Sequence, residues 1–160
     1  HLRAIGCKVT IDGRQLVSGE LRGIVTVEGG PLKSRKIGAE RTVELIDEIP
    51  VVAVLAAFAE GTTVIRDAAE LRVKESDRLS ALADNLGRMG VKCGLLEDGI
   101  AVEGCKELHG ADLSSFGDHR IAMAMTVAAL AASGPSTIDD TDIVSISCPT
   151  FYELIGGITH

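Results

Sequence analysis

The chain reads as α/β (α+β), with buried helices packed against mixed sheets, and three features of the sequence lead there. Hydrophobic residues fill 46% of the 160 positions while aromatics fill 2% and Trp is absent. The core must therefore be built from Ala, Val, Ile and Leu, which suits helices lying close against sheet. Two Ala-rich apolar runs have helical length, and each is entered through a charged cluster and closed by glycine. Each is then followed by a short β-branched run that ends in aspartate.

Taken in order, the first stretch reads as short strands and turns. Val9-Thr10-Ile11 precedes Asp12-Gly13, a turn signal, and Ile24-Val25-Thr26-Val27 precedes Glu28-Gly29-Gly30. Pro31 opens an exposed basic loop carrying Lys33, Arg35 and Lys36, a solvated loop or a place for an anion. Residues 40–44 return to ordered structure, and Asp47-Glu48-Ile49-Pro50 starts the first apolar helix. Pro50 fits a first helical turn, where a missing N–H costs nothing. The run 51–59 has no polar face, so that helix is buried on most sides, and Gly61 stops it.

Thr62-Thr63-Val64-Ile65 is a strand ended by Arg66-Asp67. From Asp77 to Met89, the residues Leu79, Leu82, Leu86 and Met89 recur every three or four positions, so this helix buries one face, and Gly90 closes it. Residues 91–95 and 99–102 form a hairpin across Glu97-Asp98-Gly99. Asp118-His119-Arg120 opens the second apolar helix, 121–132, which Gly134-Pro135 ends. Thr137-Ile138 is a short strand, and 149–155 a last helix. The Asp47 and Asp118 units match as units rather than in register, and such repetition implies that neighbouring copies share a core.

Composition excludes several functions. With 23 acidic against 16 basic residues, the net charge of -7 disfavours non-specific nucleic-acid binding, which needs a basic footprint. A local cluster can still draw a small anion into a cleft. Cys7, Cys93, Cys105 and Cys148 are scattered with no CxxC, which removes zinc-ribbon and thioredoxin-like readings. Reduced cysteines of a cytoplasmic protein are the expectation, with disulfides left open by their even number. The apolar runs are too short to cross a bilayer. No glycine-rich phosphate loop followed by Lys-Ser/Thr is present, so a nucleotide-binding domain has little support. The chain starts without methionine in mid-pattern, as a piece of a longer protein would.

Glu70-Leu71-Arg72-Val73-Lys74-Glu75-Ser76-Asp77-Arg78 carries the densest charge. Ser76 or Asp77 can cap the helix that follows. If the repeated helices start at one end of the molecule, then Asp47, the 74–78 group and His119-Arg120 converge on helix N-termini, whose free amides favour anions. Against this stand plainer roles. Asp47 suffices as a helix cap, Arg78 as half of a surface ion pair with Asp77 or a nearby acid, and Asp118 as a cap or an orienting partner for Arg120. His1 and His160 look terminal and uninformative.

Asp47-Glu48-Ile49-Pro50, Phe58-Ala59-Glu60-Gly61-Thr62-Thr63, Arg72-Val73-Lys74-Glu75-Ser76-Asp77-Arg78 and Gly117-Asp118-His119-Arg120 resemble the C-terminal part of the EPSP synthase family, the 3-phosphoshikimate 1-carboxyvinyltransferases. The matches run in order over most of the chain. The related UDP-N-acetylglucosamine enolpyruvyl transferases generally lack the Arg-Val-Lys-Glu-Ser-Asp-Arg run and are the alternative, beside a non-catalytic structural or binding domain. The resemblance implies an enolpyruvyl transferase-like domain fragment built from repeated βαβαββ units. Residues 1–160 would be a partial C-terminal domain of about two units and part of a third.

The implied reaction moves the enolpyruvyl group of phosphoenolpyruvate to the 5-hydroxyl of shikimate 3-phosphate by addition and elimination, without metal or organic cofactor. By resemblance Asp47 meets the reacting hydroxyl, and Glu75 lies near the methylene carbon. Lys74 sits by the hydroxyl and the bridging phosphate oxygen. Arg78 and Arg120 clamp phosphoenolpyruvate, and His119 positions the ligand or the neighbouring arginine. Which carboxylate is acid and which base stays open. Ile146 stands where some members carry a lysine that also holds phosphoenolpyruvate. The family's N-terminal domain has no counterpart here, so the isolated piece is expected to be inactive. It is also expected to self-associate through unpaired strands, where the full-length protein is a monomer.

Overall fold

A computed structural model describes residues 1–158; His160, read as uninformative, lies outside them. The chain begins with a short helix α1 (Leu2–Ile5), then a ribbon of two long antiparallel strands, β1 (Lys8–Val17) and β2 (Glu20–Glu28). This corrects the expected short strands. Asp12-Gly13 is no turn: the register slips between Asp12 and Gln15, and Gly13, with φ +60°, lies inside the strand. The chain reverses instead at Ser18-Gly19, both with positive φ. A bulge and a tight turn both ask for a residue that tolerates positive φ, so an Asp-Gly pair serves either.

A four-stranded sheet follows in the order β3 (Lys36–Ile37), β4 (Thr62–Ile65), β6 (Gly99–Glu103), β5 (Cys93–Leu96). β3 and β4 are parallel and the other pairings antiparallel. Between β3 and β4 the chain forms α2 (Glu40–Glu44), a 3-10 turn Ile46–Glu48 and the apolar helix α3 (Ile49–Ala57). Between β4 and β5 come a 3-10 turn Ala69–Val73 and the amphipathic helix α4 (Arg78–Arg88). Strand, helix, strand, helix, strand, strand is thus the order from Lys36 to Glu103.

The second copy begins with β7 (Asp112–Leu113), α5 (His119–Leu130) and β8 (Thr137–Ile138), the two strands again parallel. A 3-10 turn Asp142–Ile146 and α6 (Phe151–Ile158) follow. The copies share their backbone bonding. Ser34 N–H donates to the Glu60 carbonyl and Glu60 N–H to that of Leu32, as Gly110 N–H donates to Ser133 and Ser133 N–H to Leu108. Gly61 and Gly134 have φ +92° and +90°. They lie past the helices, which already end at Ala57 and Leu130, and lead into β4 and β8. From these glycines on the register is the same in both copies. The turns starting at Ala69 and Asp142 and the helices starting at Arg78 and Phe151 are equally displaced. The looser match ahead of them comes from α5 having 12 residues against 9 in α3.

One core joins the copies. Ile49, Val52, Ala53 and Ala56 of α3 pack with Leu79, Leu82 and Leu86 of α4, Ile121, Ala124, Met125 and Ala128 of α5, and Ile65, Ile100 and Val102 of the sheet. Small side chains on α3 and α5 let the two helices lie close, as the composition required. Both start at the same end, where Arg120 at the beginning of α5 meets Asp47 just ahead of α3.

Candidate functional site

Each charged side chain at that end is placed by a local rule. Asp77 is the N-cap of α4, its carboxylate accepting the Ser80 N–H at 3.1 Å, so Arg78 is the first helical residue. Asp77 pairs with Arg72 at 2.8 Å, so of the two partners offered for Arg78, Asp77 or a nearby acid, the structure gives it nearby acids, and buries rather than exposes it. Asp118 is the N-cap of α5, accepting the Arg120 N–H at 2.9 Å. Asp47 sits in the 3-10 turn ahead of α3, where its carboxylate caps nothing: the N-cap position belongs to Glu48, which makes no capping bond either.

Arg78 is the hub. Its guanidinium is 1% exposed and donates to Asp118 from Nε at 2.7 Å and from Nη2 at 3.3 Å, to Glu75 from Nη2 at 2.6 Å, and to Asp47 from Nη1 at 3.1 Å. Burial opposes its charge, but Asp118 first, then Glu75 and Asp47, outweigh burial and hold its pKa above the ordinary value. Asp118 is wholly buried and takes a fourth donor, the Ser76 hydroxyl at 3.2 Å. Burial pushes its carboxyl upward, and the Arg78 fork with the amides of Arg120 and Ile121 pulls it further down, below the usual range. Asp118 thus orients Arg78 by its side chain, where the sequence offered Arg120; Arg120 it meets only through the backbone.

Around this buried pair the other groups stand half in solvent. Lys74 Nζ lies 2.6 Å from Glu70 and 3.9 Å from Asp47. The Glu70 hydrogen bond leads the causes that raise its pKa. Arg120 Nη1 donates to the Asp47 carbonyl at 2.8 Å and to the Glu48 carboxylate at 3.1 Å. Next to Asp47 and Arg120, an apolar cavity of about 180 Å³ runs between α3 and α5, with Pro50, Met123 and Phe151 among its walls. His119, half-buried, is the first residue of α5 beside Arg120.

The structure therefore brings Asp47, Lys74, Glu75, Arg78 and Arg120 onto one wall, with His119 adjoining. It does not bring the basic loop there: Arg35 turns to the carbonyl of Ala4, at 2.8 Å. Ile146 is 73% exposed at the end of its 3-10 turn, the place that Val73 holds in the first copy. Sequence reasoning missed Glu48, Glu70 and Ser76 as members of the network, and the partnership of Asp118 with Arg78. Forty residues separate that pair, and only the repeat, by placing both helix starts side by side, hinted at it. Among the described residues no group of His, Cys, Asp and Glu has the arrangement of a metal site, and no helix is long and apolar enough to cross a membrane.

A family model of EPSP synthase (3-phosphoshikimate 1-carboxyvinyltransferase) matches residues 1–155. The 3-phosphoshikimate 1-carboxyvinyltransferase of Thermosynechococcus vestitus is 48% identical over 157 residues, covering 98% of this chain and 36% of that protein. That of Geobacter sulfurreducens is 49% identical over 157 residues, covering 98% and 37%. In solved structures, EPSP synthase from Acinetobacter baumannii superposes with a TM-score of 0.92 at 40% identity, over 98% of this chain and 37% of that one. An enolpyruvyl transferase from Streptomyces tendae superposes with 0.70 at 27%, over 95% and 32%. The fold is thus the enolpyruvyl transferase fold, and the chain spans about a third of the length of these relatives. With the charged wall falling inside the matched residues, the chain belongs to the EPSP synthase family.

Proposed function

We propose that this chain is a partial C-terminal domain, about two repeat units and part of a third, that supplies one wall of an EPSP synthase active site. In the complete, cytoplasmic enzyme the reaction is transfer of the enolpyruvyl group of phosphoenolpyruvate to the 5-hydroxyl of shikimate 3-phosphate, with release of phosphate. The observation that carries the reading is the clustering of Asp47, Lys74, Glu75, Arg78 and Arg120 within direct contact of one another at the starts of α4 and α5. A non-catalytic domain would have no reason to hold these groups half open to solvent around a buried pair.

The roles follow from the chemistry. Addition needs a proton on the methylene carbon and the loss of one from the hydroxyl; elimination reverses the first and expels phosphate. Asp47 and Glu75, 46% and 48% exposed, are the two partly exposed carboxylates that Arg78 holds, each by one nitrogen. They are the groups able to move those protons. Lys74, between Asp47 and Glu70, supplies positive charge beside Asp47, where the leaving phosphate oxygen gains charge. Arg120 is the guanidinium with least carboxylate around it and is the anion clamp, its planar fork suited to carboxylate or phosphate. His119 positions the ligand or Arg120. Arg78 reaches an anion only by yielding its contact with Asp47 or Glu75, so its first role is to fix the two carboxylates.

Charge supports the reading that the wall does not act alone. Asp47, Glu48, Glu70, Glu75 and Asp118 outnumber Lys74, Arg78 and Arg120, so two polyanionic substrates need cations from an opposing surface. In the complete enzyme Arg120→Ala should lower kcat/KM for phosphoenolpyruvate about tenfold or more, the loss expected for a charge-assisted anion contact. An unchanged kcat/KM removes Arg120 from the site. The 160-residue chain by itself should release no phosphate from the two substrates, and ordinary turnover in a steady-state phosphate assay would overturn the half-site reading.

A further inference from the structure

We propose that Glu48 is a built-in competitor for the anion that Arg120 binds, occupying one nitrogen of the guanidinium until an oxyanion displaces it. The inference rests on the reading of Arg120 as an anion clamp. Glu48 occupies the N-cap position of α3, yet its side chain caps no amide; its carboxylate crosses instead to α5 and meets Arg120 Nη1 at 3.1 Å. The other acids nearest the hub are engaged otherwise. Asp118 and Glu75 are held by Arg78, and Asp47 by Arg78 and Lys74.

Glu48 differs from these in not being held by the buried guanidinium: it is 59% exposed and Arg120 30%, where Arg78 is 1%. An exposed ion pair of this kind is weak, because water solvates both groups and the side chain gives up freedom to hold it. It is therefore displaceable, whereas the buried Asp118–Arg78 contact is not. The pair stands at the cavity between α3 and α5, which Glu48 and Arg120 both line. Glu48 meets Arg120 through Nη1, so an oxyanion that bridges the two terminal nitrogens of the guanidinium takes that position and then sits beside the carboxylate it released. Both effects weaken binding, the second more for a dianion than for a singly charged anion.

The test is a titration of the 15N-labelled chain with inorganic phosphate, followed at the Arg120 side-chain Nε–H and the amides at the start of α5. Two variants each remove one negative charge: Glu48→Gln, and Glu44→Gln, whose carboxylate pairs with Arg41 on α2 instead. Glu48→Gln should tighten phosphate roughly two- to fivefold, the range spanned by exposed ion pairs, and Glu44→Gln should match the unaltered chain. Equal affinity in all three, weaker binding in Glu48→Gln, or the same gain in both variants would remove Glu48 as competitor and leave the anion clamp standing. Phosphate that shifts no signal near Arg120 in any of the three would overturn the clamp and the competitor together.

Discussion

Asp118 has no exposed surface, yet its two oxygens take donors from Ser76, Arg78 and the Arg120 backbone, groups contributed by two repeat copies. Removing one member of a buried ion pair strands the other, and the cost for such pairs runs to about 3–5 kcal/mol. Asp118→Ala should therefore lower the unfolding free energy by about 3 kcal/mol or more in a urea titration. The pair also ties stability to pH. Asp118 has a folded pKa below its ordinary 3.8, so its contribution is complete above that value. It is lost as pH falls below 3.8 toward the lower folded pKa. Asp118→Asn should flatten the acid limb of a stability-against-pH curve, and an unaltered slope there would mean that other carboxylates govern acid unfolding.

One helix start and one strand end show how local chemistry fixes the elements. α4 begins where Asp77 caps it, and Asp77→Ala should cost about 1 kcal/mol by chemical denaturation, the usual value of an N-cap. A larger loss is expected only if the Arg72 pair also matters to the fold. At the end of β6, Gly104 passes so close to the backbone of Ala59 that a Cβ would overlap the Ala59 carbonyl oxygen. Gly104→Ala should therefore destabilise by about 3 kcal/mol, at the upper end of overpacking costs, with the loss read as a lower thermal midpoint. That carbonyl cannot move cheaply, since Ala59 is itself bonded to Ala56 through its N–H and is buried.

At this scale the sequence was legible wherever one period ran unbroken. The three- and four-residue spacing of Leu79, Leu82, Leu86 and Met89 marks α4 within a residue of its bounds, and Thr62–Ile65 is a strand as read. It was illegible where one signal serves two structures, as Asp12-Gly13 does in a bulge, and where a helix is only four residues long, as α1 is. In the site, Asp47, Lys74, Glu75, Arg78 and Arg120 could be named from the chain, because charge clusters ahead of the helices there and the same runs carry the family resemblance. Their partners could not be. The bonds that set Arg78 depend on how α4 and α5 lie across each other, which is a property of the packed core.

Seen whole, the chain has a well-covered centre and one uncovered flank. The β1–β2 ribbon leaves Leu16, Leu21, Ile24 and Val25 largely exposed, and among the described residues its strands pair only with each other. An apolar two-stranded ribbon with free edges is a template for further strand pairing. The isolated chain should therefore show a mass that rises with concentration in light scattering after size exclusion, and Leu16→Lys with Val25→Lys should return it to a monomer. A constant monomeric mass for the unaltered chain would show that the ribbon is protected by other means.

The Asp118–Arg78 bond has one more implication. Because its halves come from separate copies, neither copy can acquire the charged wall while folding by itself; assembly of the pair and formation of the wall are the same event. A spectroscopic label reporting the guanidinium of Arg78 would thus serve as a gauge of maturation, changing only when the two halves have met.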